Sequence, residues 1–402
     1  MKILVINSGS SSIKYQLFEM PQEEVIAKGL LEKIGEEKSF FIQKSKKGNL
    51  ELEGATPTHE EGINFIINIL TDKEKGVIDS IDEIKGVGHR VVHGEEEFVE
   101  SVLITDKVVR RIEEYAELAP LHNPPNLMGI RAAKKFLFAT AQVACFDTAF
   151  HHSLPNKAFL YAIPYELYEK YKIRRYGFHG TSHLYVYRRL SSILNKQQNS
   201  LNAITCHLGN GCSIAAINQG KSVDTSMGFT PLEGLVMGTR CGDIDPAIIF
   251  YLLEKGNAPQ DLIKTLNKKS GLLGISGISN DVRNLSWARE KGNERARIAL
   301  EVFSYRLKKY IGAYLAVLGK TDAIVFTGGI GENNPWLRKD TLVGLESLGI
   351  EIDEEKNSKA TKGVESEVSK EGSQIKVYVI PTNEELYIAQ DTYQIVQAQN
   401  KV

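Results

Sequence analysis

The stretch Lys2–Glu19, KILVINSGSSSIKYQLFE, decides the reading of this chain. Ile3–Ile6 is uniformly apolar, as a strand buried on both faces is. Residues 7–12 then hold no large side chain. Ile13, Tyr15 and Leu17 alternate with Lys14 and Gln16, the period of a half-exposed strand. The unit is strand, small-residue turn, strand, and it is written again at Ile204–Gln219, ITCHLGNGCSIAAINQ. A third small-residue turn, Thr327–Asn333 (TGGIGEN), follows the apolar run 323–326. Alone, each is more often an ordinary turn. Three together point to a nucleotide gripped by backbone amides from two lobes, because amides bind phosphate where no side chain blocks the approach.

Around these turns the pattern predicts an α/β chain. Residues 87–92 read as a strand ending in His93-Gly94, and 142–146 as a strand with Asp147 at its carboxyl end. Asn123-Pro124-Pro125 reads as a helix start with Asn123 as the cap. Residues 32–62 are charged and weakly patterned, and read as short strands and loops. In the second half, helices are expected over 182–194, 247–255 and 294–318, the last stopping at Gly319. A strand at 376–380 precedes a final helix, 384–397, capped by Asn383. Both halves share one order of elements, a weak internal duplication.

A chain of 402 residues exceeds one ordinary core, so two domains are expected. With 42% hydrophobic and 25% charged residues it is neither disordered nor fibrous. A formal net charge of −1 gives no reason to expect nucleic acid or a membrane surface as partner. The apolar start, 3–6, is too short for a signal-peptide core, which predicts a cytoplasmic protein. Cys145, Cys206, Cys212 and Cys241 form no CxxC pair and read as reduced structural thiols rather than zinc ligands. Common nucleotide motifs fail. A Walker A loop ending at Gly319-Lys320-Thr321 would need glycine where Tyr314 stands, and Gly329-x-Gly331 is followed by Asn334 where a dinucleotide fingerprint has its third glycine. No HRD or DFG string occurs.

The paired hairpins and the late Gly-Gly turn resemble the sugar kinase, heat-shock-70 and actin superfamily. Within it, NSGSSSIKY (7–15), GHRVVHGEE (88–96), FDTAFH (146–151), YGFHGTSH (176–183), HLGNG (207–211), MGFTPLEGLVMGTRCGDIDP (227–246) and FTGGIGEN (326–333) resemble the acetate kinase family. The match runs from residue 2 to about 390, and seven strings in order make it specific. Glu95, where the family often has glycine, is the one departure. The resemblance implies a two-lobed actin-like, ribonuclease H-like α/β fold with duplicated domains and a cleft between them: lobe one at 1–149, lobe two at 150–384, and a last helix, 385–402, returning to lobe one. It implies reversible, Mg²⁺-dependent transfer of the ATP γ-phosphoryl group to acetate (Mn²⁺ as a possible substitute) and a homodimer formed through the second lobe. Propionate, butyrate or another short carboxylate is the alternative substrate. A non-catalytic actin-like ATP-binding protein is the alternative of another class.

The same resemblance distributes roles. Arg90 binds the carboxylate, Arg240 stabilises the transition state, His179 donates to the moving phosphoryl group, and Asp147 is a proton donor or acceptor. Forked guanidinium donors suit both carboxylate and phosphoryl oxygens. A carboxylic acid is already ionised at neutral pH, so an orienting Asp147 fits the chemistry better than a base. His183, one helical turn on from His179, reads as structural. Asn7 and Glu384 are the implied metal residues, and Glu384 also suits a helix start. Val92, Leu121, Phe178 and Pro231 are the implied acyl-pocket walls. For ATP the implied contacts are Lys14, His207, Leu208, Gly209, Asn210, Gly211, Asp281, Val282, Arg283, Gly329, Ile330, Gly331, Glu332 and Asn333. Asp281 reads equally well as a helix cap.

Overall fold

The computed structural model describes residues 1–120 and 122–399. They form two compact units: residues 1–150 together with the chain from Asn383 onward, and residues 151–382. Glu384, expected at the end of the second lobe, thus lies in the first unit. It opens a helix, Glu384–Gln399, that packs on the first unit's sheet.

The first unit is built on an eight-stranded sheet. Its strands are β1 (Lys2–Ser8), β2 (Ser12–Glu19), β3 (Glu24–Glu32), β4 (Ser39–Ser45), β5 (Gly48–Gly54), β6 (Ile84–Val91), β7 (Val102–Leu103) and β8 (Ala141–Phe146), in the order β5-β4-β3-β2-β1-β6-β8-β7. β1 pairs antiparallel with β2 and parallel with β6, and β6 runs parallel to β8. The alternation read in β2 holds: Ile13, Tyr15 and Leu17 are buried in the main core, while Lys14 is exposed.

The region 32–62 carries the short strands β4 and β5 and ends in the start of a helix that the charge content hid, His59–Leu70. Its start carries a capping box, Thr58 with Glu61, and its buried residues Gly62, Ile63, Ile66, Ile67 and Leu70 recur at helical spacing. The helix lies so close to the sheet that a Cβ at Gly62 would stand 2.9 Å from Leu31 and 3.0 Å from Ile13. Each buried isoleucine here contributes about 1.5–3 kcal/mol of transfer free energy.

A second correction concerns Asn123. The helix Asn123–Phe136 begins at it rather than after it, and its side chain makes no cap bond to the helix. Its amide instead pairs with the backbone of His93, accepting from the N–H and donating to the carbonyl, both at 3.1 Å. Two prolines satisfy the geometry of the first turn without a cap.

The second unit carries a six-stranded sheet. Its strands are β9 (Asn202–Leu208), β10 (Cys212–Asn218), β11 (Lys221–Thr225), β12 (Ala323–Thr327), β13 (Ser366–Glu367) and β14 (Lys376–Val379), in the order β11-β10-β9-β12-β14-β13. β9 pairs antiparallel with β10 and parallel with β12, which runs parallel to β14. The run β11-β10-β9-β12-β14 therefore repeats β3-β2-β1-β6-β8 in order and sense, the duplication that the sequence hinted at. The 25-residue helix Glu294–Leu318 packs on β9 and β10. It is capped by Asn293, whose side chain accepts from Ala296, and it ends at Gly319 with φ of 68°.

The Thr327–Asn333 turn proves to be a short helix, Gly328–Asn333, entered directly from β12. Gly328, with φ of 75°, lets the chain turn while a Cβ there would stand 2.7 Å from the Leu208 carbonyl. All four cysteines are free, three buried and Cys241 half-buried. Among the described residues no helix is long and apolar enough to cross a membrane.

Candidate active site

In the first unit the chemistry collects at the carboxyl ends of the parallel strands, where open α/β sheets place ligands. Arg90 is the next-to-last residue of β6, and Asp147 follows β8 directly. Arg90 Nε donates to both Asp147 oxygens at 3.0 and 3.1 Å, and Nη2 donates to Oδ2 at 2.6 Å. The Asp147 side chain is 1% exposed and that of Arg90 20%. One edge of the guanidinium is thus held by a buried carboxylate, and Nη1 makes no hydrogen bond among the described residues. Burial opposes the charge on Arg90, but Asp147 and Glu384 outweigh it and raise the pKa.

Glu384 reaches Arg90's surroundings because the C-terminal helix docks closely on β6. A Cβ at Gly88 would stand 2.4 Å from Thr392 Oγ1 and 2.5 Å from Ile388, and one at Gly86 would meet Thr392 and Val396 at 3.1 Å. The glycines of GVGHR are therefore a docking surface. Beside Glu384, burial and the Glu384 charge raise the pKa of Glu385. Asn7 lies near the end of β1, half-buried, directly across from exposed Lys14 on β2.

Two asparagines that sequence reasoning missed as site residues tie these strand ends together. Asn126 Oδ1 accepts from the Val92 N–H at 3.1 Å, and its Nδ2 donates to the Ser8 carbonyl at 2.8 Å. With Asn123 on His93, they fix the segment that carries Val92 against the first glycine hairpin. Of the acyl-pocket candidates, Val92 is half-buried, and Leu121 lies outside the described residues.

In the second unit His179 precedes the helix Gly180–Ile193 and has φ of 56°, a left-handed conformation that costs a non-glycine residue about 1–2 kcal/mol. Its Nδ1 shares a hydrogen bond of 2.9 Å with Ser213 Oγ on β10. Its ring lies 4.3 Å, centroid to centroid, from that of His207 at the end of β9. A Cβ at Gly211 would stand 3.4 Å from Arg240 Nη1 and 3.4 Å from both Cε1 and Nε2 of His179. The second hairpin therefore brings an imidazole and a guanidinium to one bare backbone position. Arg240 donates to the Pro231 carbonyl at 3.2 Å and makes no ion pair among the described residues. Burial lowers its pKa, with only the Cys212 thiol acting the other way. A half-buried cation without an anion is an electrostatic demand for one. Phe178, buried beside His179, and half-buried Pro231 fall on the same segments.

Some of the nucleotide candidates of the second unit also make contacts with other segments. The Gly238 N–H donates to the Asn210 carbonyl, and Asn280 Nδ2 donates to Asn210 Oδ1 at 3.0 Å. Gly331 packs on Leu208. Asp281 caps the helix Val282–Glu290 and is gripped by the exposed Arg283 guanidinium, so both side chains have local work. Ile330 is exposed. Glu332 accepts from the Thr382 N–H, and burial raises its pKa. The Asn333 amide spans Gly329 and Lys362. Arg338, missed by the sequence reading, is fully buried and donates to the carbonyls of Gly331 and Glu332 as well as to Asn357 and Ala360.

Two sheets of one topology, each with a glycine hairpin, and a half-buried guanidinium beside one of them, without an ion pair among the described residues, define a protein of the two-domain actin-like fold. The comparisons narrow this. The Acetokinase family model matches residues 2–390, and the chain belongs to that family. It is 57% identical over 400 residues to an acetate kinase of Halothermothrix orenii, covering 99% of this chain and 100% of the relative. It is 56% identical over 399 residues to one of Thermotoga maritima, covering 99% of each. A crystal structure of Porphyromonas gingivalis acetate kinase superposes with a TM-score of 0.94 at 46% identity, over 98% of this chain and 99% of that one. A propionate kinase from Francisella tularensis gives 0.91 at 42% identity, with the same coverage.

Proposed function

We propose that this protein transfers the γ-phosphoryl group of ATP to acetate, reversibly and without a covalent enzyme intermediate, giving ADP and acetyl phosphate. The observation that carries the residue assignment is Arg240: a half-buried guanidinium with no ion partner among the described residues, facing the bare backbone of Gly211 alongside His179. An acetate oxygen attacks the γ-phosphorus as the bond to the β-phosphate oxygen breaks, and that electron pair leaves with ADP. Acetate is ionised at neutral pH, so no base is needed. Arg90, held along one edge by Asp147, offers its other edge to the acetate carboxylate. Arg240 and His179 neutralise charge on the phosphoryl oxygens, a role in which an arginine is worth roughly 10³–10⁵ in rate.

The metal is assigned as Mg²⁺. Asn7 and Glu384 are hard oxygen donors in one unit, and few protein ligands suit an ion that arrives on a nucleotide and keeps its waters. When bound, the metal neutralises phosphate charge. The other contacts follow the hairpins: Lys14, residues 207–211, 281–283 and 329–333 for ATP, and Val92, Phe178 and Pro231 for the methyl group. Apolar walls reject an extra methylene by only about 1–3 kcal/mol. Acetate is therefore the first substrate and propionate the second reading, which the likeness to a propionate kinase favours.

We also assign the protein to the cytoplasm and to a homodimer. The helix Ala247–Glu254, AIIFYLLE, buries none of its residues, and Ile248, Phe250 and Tyr251 are exposed, an apolar face that a second copy would cover. Sedimentation at micromolar concentration tests this. The activity is tested by trapping acyl phosphate with hydroxylamine, using MgATP and carboxylates of increasing length. Formation of acetyl hydroxamate, falling with chain length and collapsing in Arg90→Ala, is expected. No hydroxamate from any short acid would refute the activity, and an unimpaired Arg90→Ala would refute its role.

A further inference from the structure

Behind His179 stands a single file of buried groups. Thr205 Oγ1 is 2.7 Å from His183 Nδ1, His183 Nε2 is 2.8 Å from Ser213 Oγ, and Ser213 Oγ is 2.9 Å from His179 Nδ1. Thr205, His183 and Ser213 are fully buried. The file crosses three elements, β9, the helix Gly180–Ile193 and β10, so it is fixed by the fold.

Proton counting leaves this file two states. Ser213 has one hydroxyl hydrogen and two imidazole neighbours, so it donates to one and accepts from the other. His183 is kept neutral by burial, with His151 and His207 adding to the effect, and so has one N–H. In the first state Thr205 donates to His183 Nδ1, His183 Nε2–H donates to Ser213, and Ser213 donates to His179 Nδ1. The proton of His179 then sits on Nε2, the nitrogen beside Gly211 and Arg240. In the second state every bond is reversed, and Nε2 carries a proton only if His179 is a cation. A neutral His179 in the second state presents a bare Nε2 beside Gly211 and Arg240.

We propose that Ser213 and His183 are positioning residues that hold His179 in the tautomer presenting Nε2–H to the transferring phosphoryl group. The proposal rests on the reading of His179 given above. His179 precedes its helix in a left-handed conformation, and the Ser213 bond ties its ring to β10. His183 is more than a core residue here, because its tautomer decides which way Ser213 can donate. The sequence offered HGTSH as two histidines four apart but not the hydroxyl that joins them.

The test uses the full-length protein, nitrogen-15-labelled for imidazole correlation spectra, with Ser213→Ala, His179→Ala and the double variant. The wild-type spectrum should show His179 and His183 both protonated at Nε2 and bare at Nδ1. Ser213→Ala should mix the His179 tautomers and lower kcat about 10–100-fold, with KM for MgATP and acetate within about twofold, since the lost interaction matters only in the transition state. The double variant should be no slower than His179→Ala, because the two residues act as one unit. A wild-type His179 protonated at Nδ1 overturns the proposal, and this spectrum decides even if the variant does not fold. A Ser213→Ala with normal kcat beside an inactive His179→Ala overturns the file and leaves the His179 role standing. An active His179→Ala overturns both.

Discussion

Replacing Asp147 by asparagine separates an orienting carboxylate from a base. The Asp147 side chain is buried and receives three short contacts from Arg90, two from Nε and one of 2.6 Å from Nη2. Asparagine keeps one acceptor oxygen and replaces the other by a donor that faces the guanidinium. One charge-assisted hydrogen bond is lost, worth about 1.5–3 kcal/mol. If that energy serves to aim Arg90 at acetate, kcat/KM for acetate falls by about 10- to 150-fold, at 1.36 kcal/mol per decade. The metal and nucleotide groups are untouched, so KM for MgATP should stay near the wild-type value. The assay is the coupled rate of ADP formation against acetate concentration from pH 6 to 9, for both proteins, with urea unfolding as a control on the pair's structural share. The two profiles should be parallel. A loss beyond about 10⁴-fold, with a wild-type rate that follows a single ionisation absent from the variant, is the signature of proton transfer and would refute the orienting role.

Three further outcomes follow from particular contacts. Glu95 has φ of 52° and donates its N–H to His93 Nδ1, so Glu95→Gly keeps the bond and relieves the left-handed strain; net of the chain entropy glycine adds, it should stabilise by about 0.5–1 kcal/mol, read as a higher urea midpoint at constant slope. Burial lowers the pKa of His89 to about 4, of His93 to about 3 and of His151 to about 4, and it lowers that of His183 well below its ordinary value. The unfolded chain therefore binds protons that the folded one refuses as pH falls from 6.5 toward 4, and each histidine should cost about 2 kcal/mol of stability by pH 5; denaturant unfolding that is flat between pH 7 and 5 would contradict this. Arg338→Met strands the carbonyls of Gly331, Glu332, Asn357 and Ala360, so it should destabilise by about 3–5 kcal/mol and, in the protein that still folds at low temperature, raise KM for ATP more than KM for acetate.

What the sequence made legible was local. The two hairpins, the 25-residue helix and the strand ends bearing Arg90 and Asp147 are written in contiguous residues, and period and turn chemistry suffice to find them. The helix His59–Leu70 was legible too, through Thr58-x-x-Glu61 and its isoleucine spacing, but charged neighbours masked it. What the sequence withheld was long-range pairing. Asn123 looks like a cap because its neighbours are prolines, yet its amide is used 30 residues away on His93. Ser213 is an unremarked strand residue until β10 lies beside His179 and His183. Nothing in the sequence marks Gly86 and Gly88 as a docking surface until the C-terminal helix is seen to need their missing side chains.

The two arginines illustrate the same limit and show what resolves it. In the sequence Arg90 and Arg240 are alike: each sits near glycine, off any amphipathic face. In the folded units their electrostatics are opposite. Arg90 faces Asp147 and feels Glu384 and Glu385, so its charge is compensated and its geometry is fixed along one edge. Such a group contributes direction more than net charge, which suits a monoanionic carboxylate that has to be aimed. Among the described residues Arg240 has no compensating carboxylate and is held by a carbonyl and a thioether contact. It contributes net positive charge in a partly desolvated place, which suits a phosphoryl group carrying several negative oxygens. Exchanging the environments would exchange the tasks. A carboxylate placed beside Arg240, as in Met237→Glu, should neutralise it and lower kcat while KM for acetate stays near its wild-type value. Removing the carboxylate beside Arg90 should act chiefly on acetate. If instead both changes struck the two parameters alike, the division of labour between an aimed and an unpaired guanidinium would not stand.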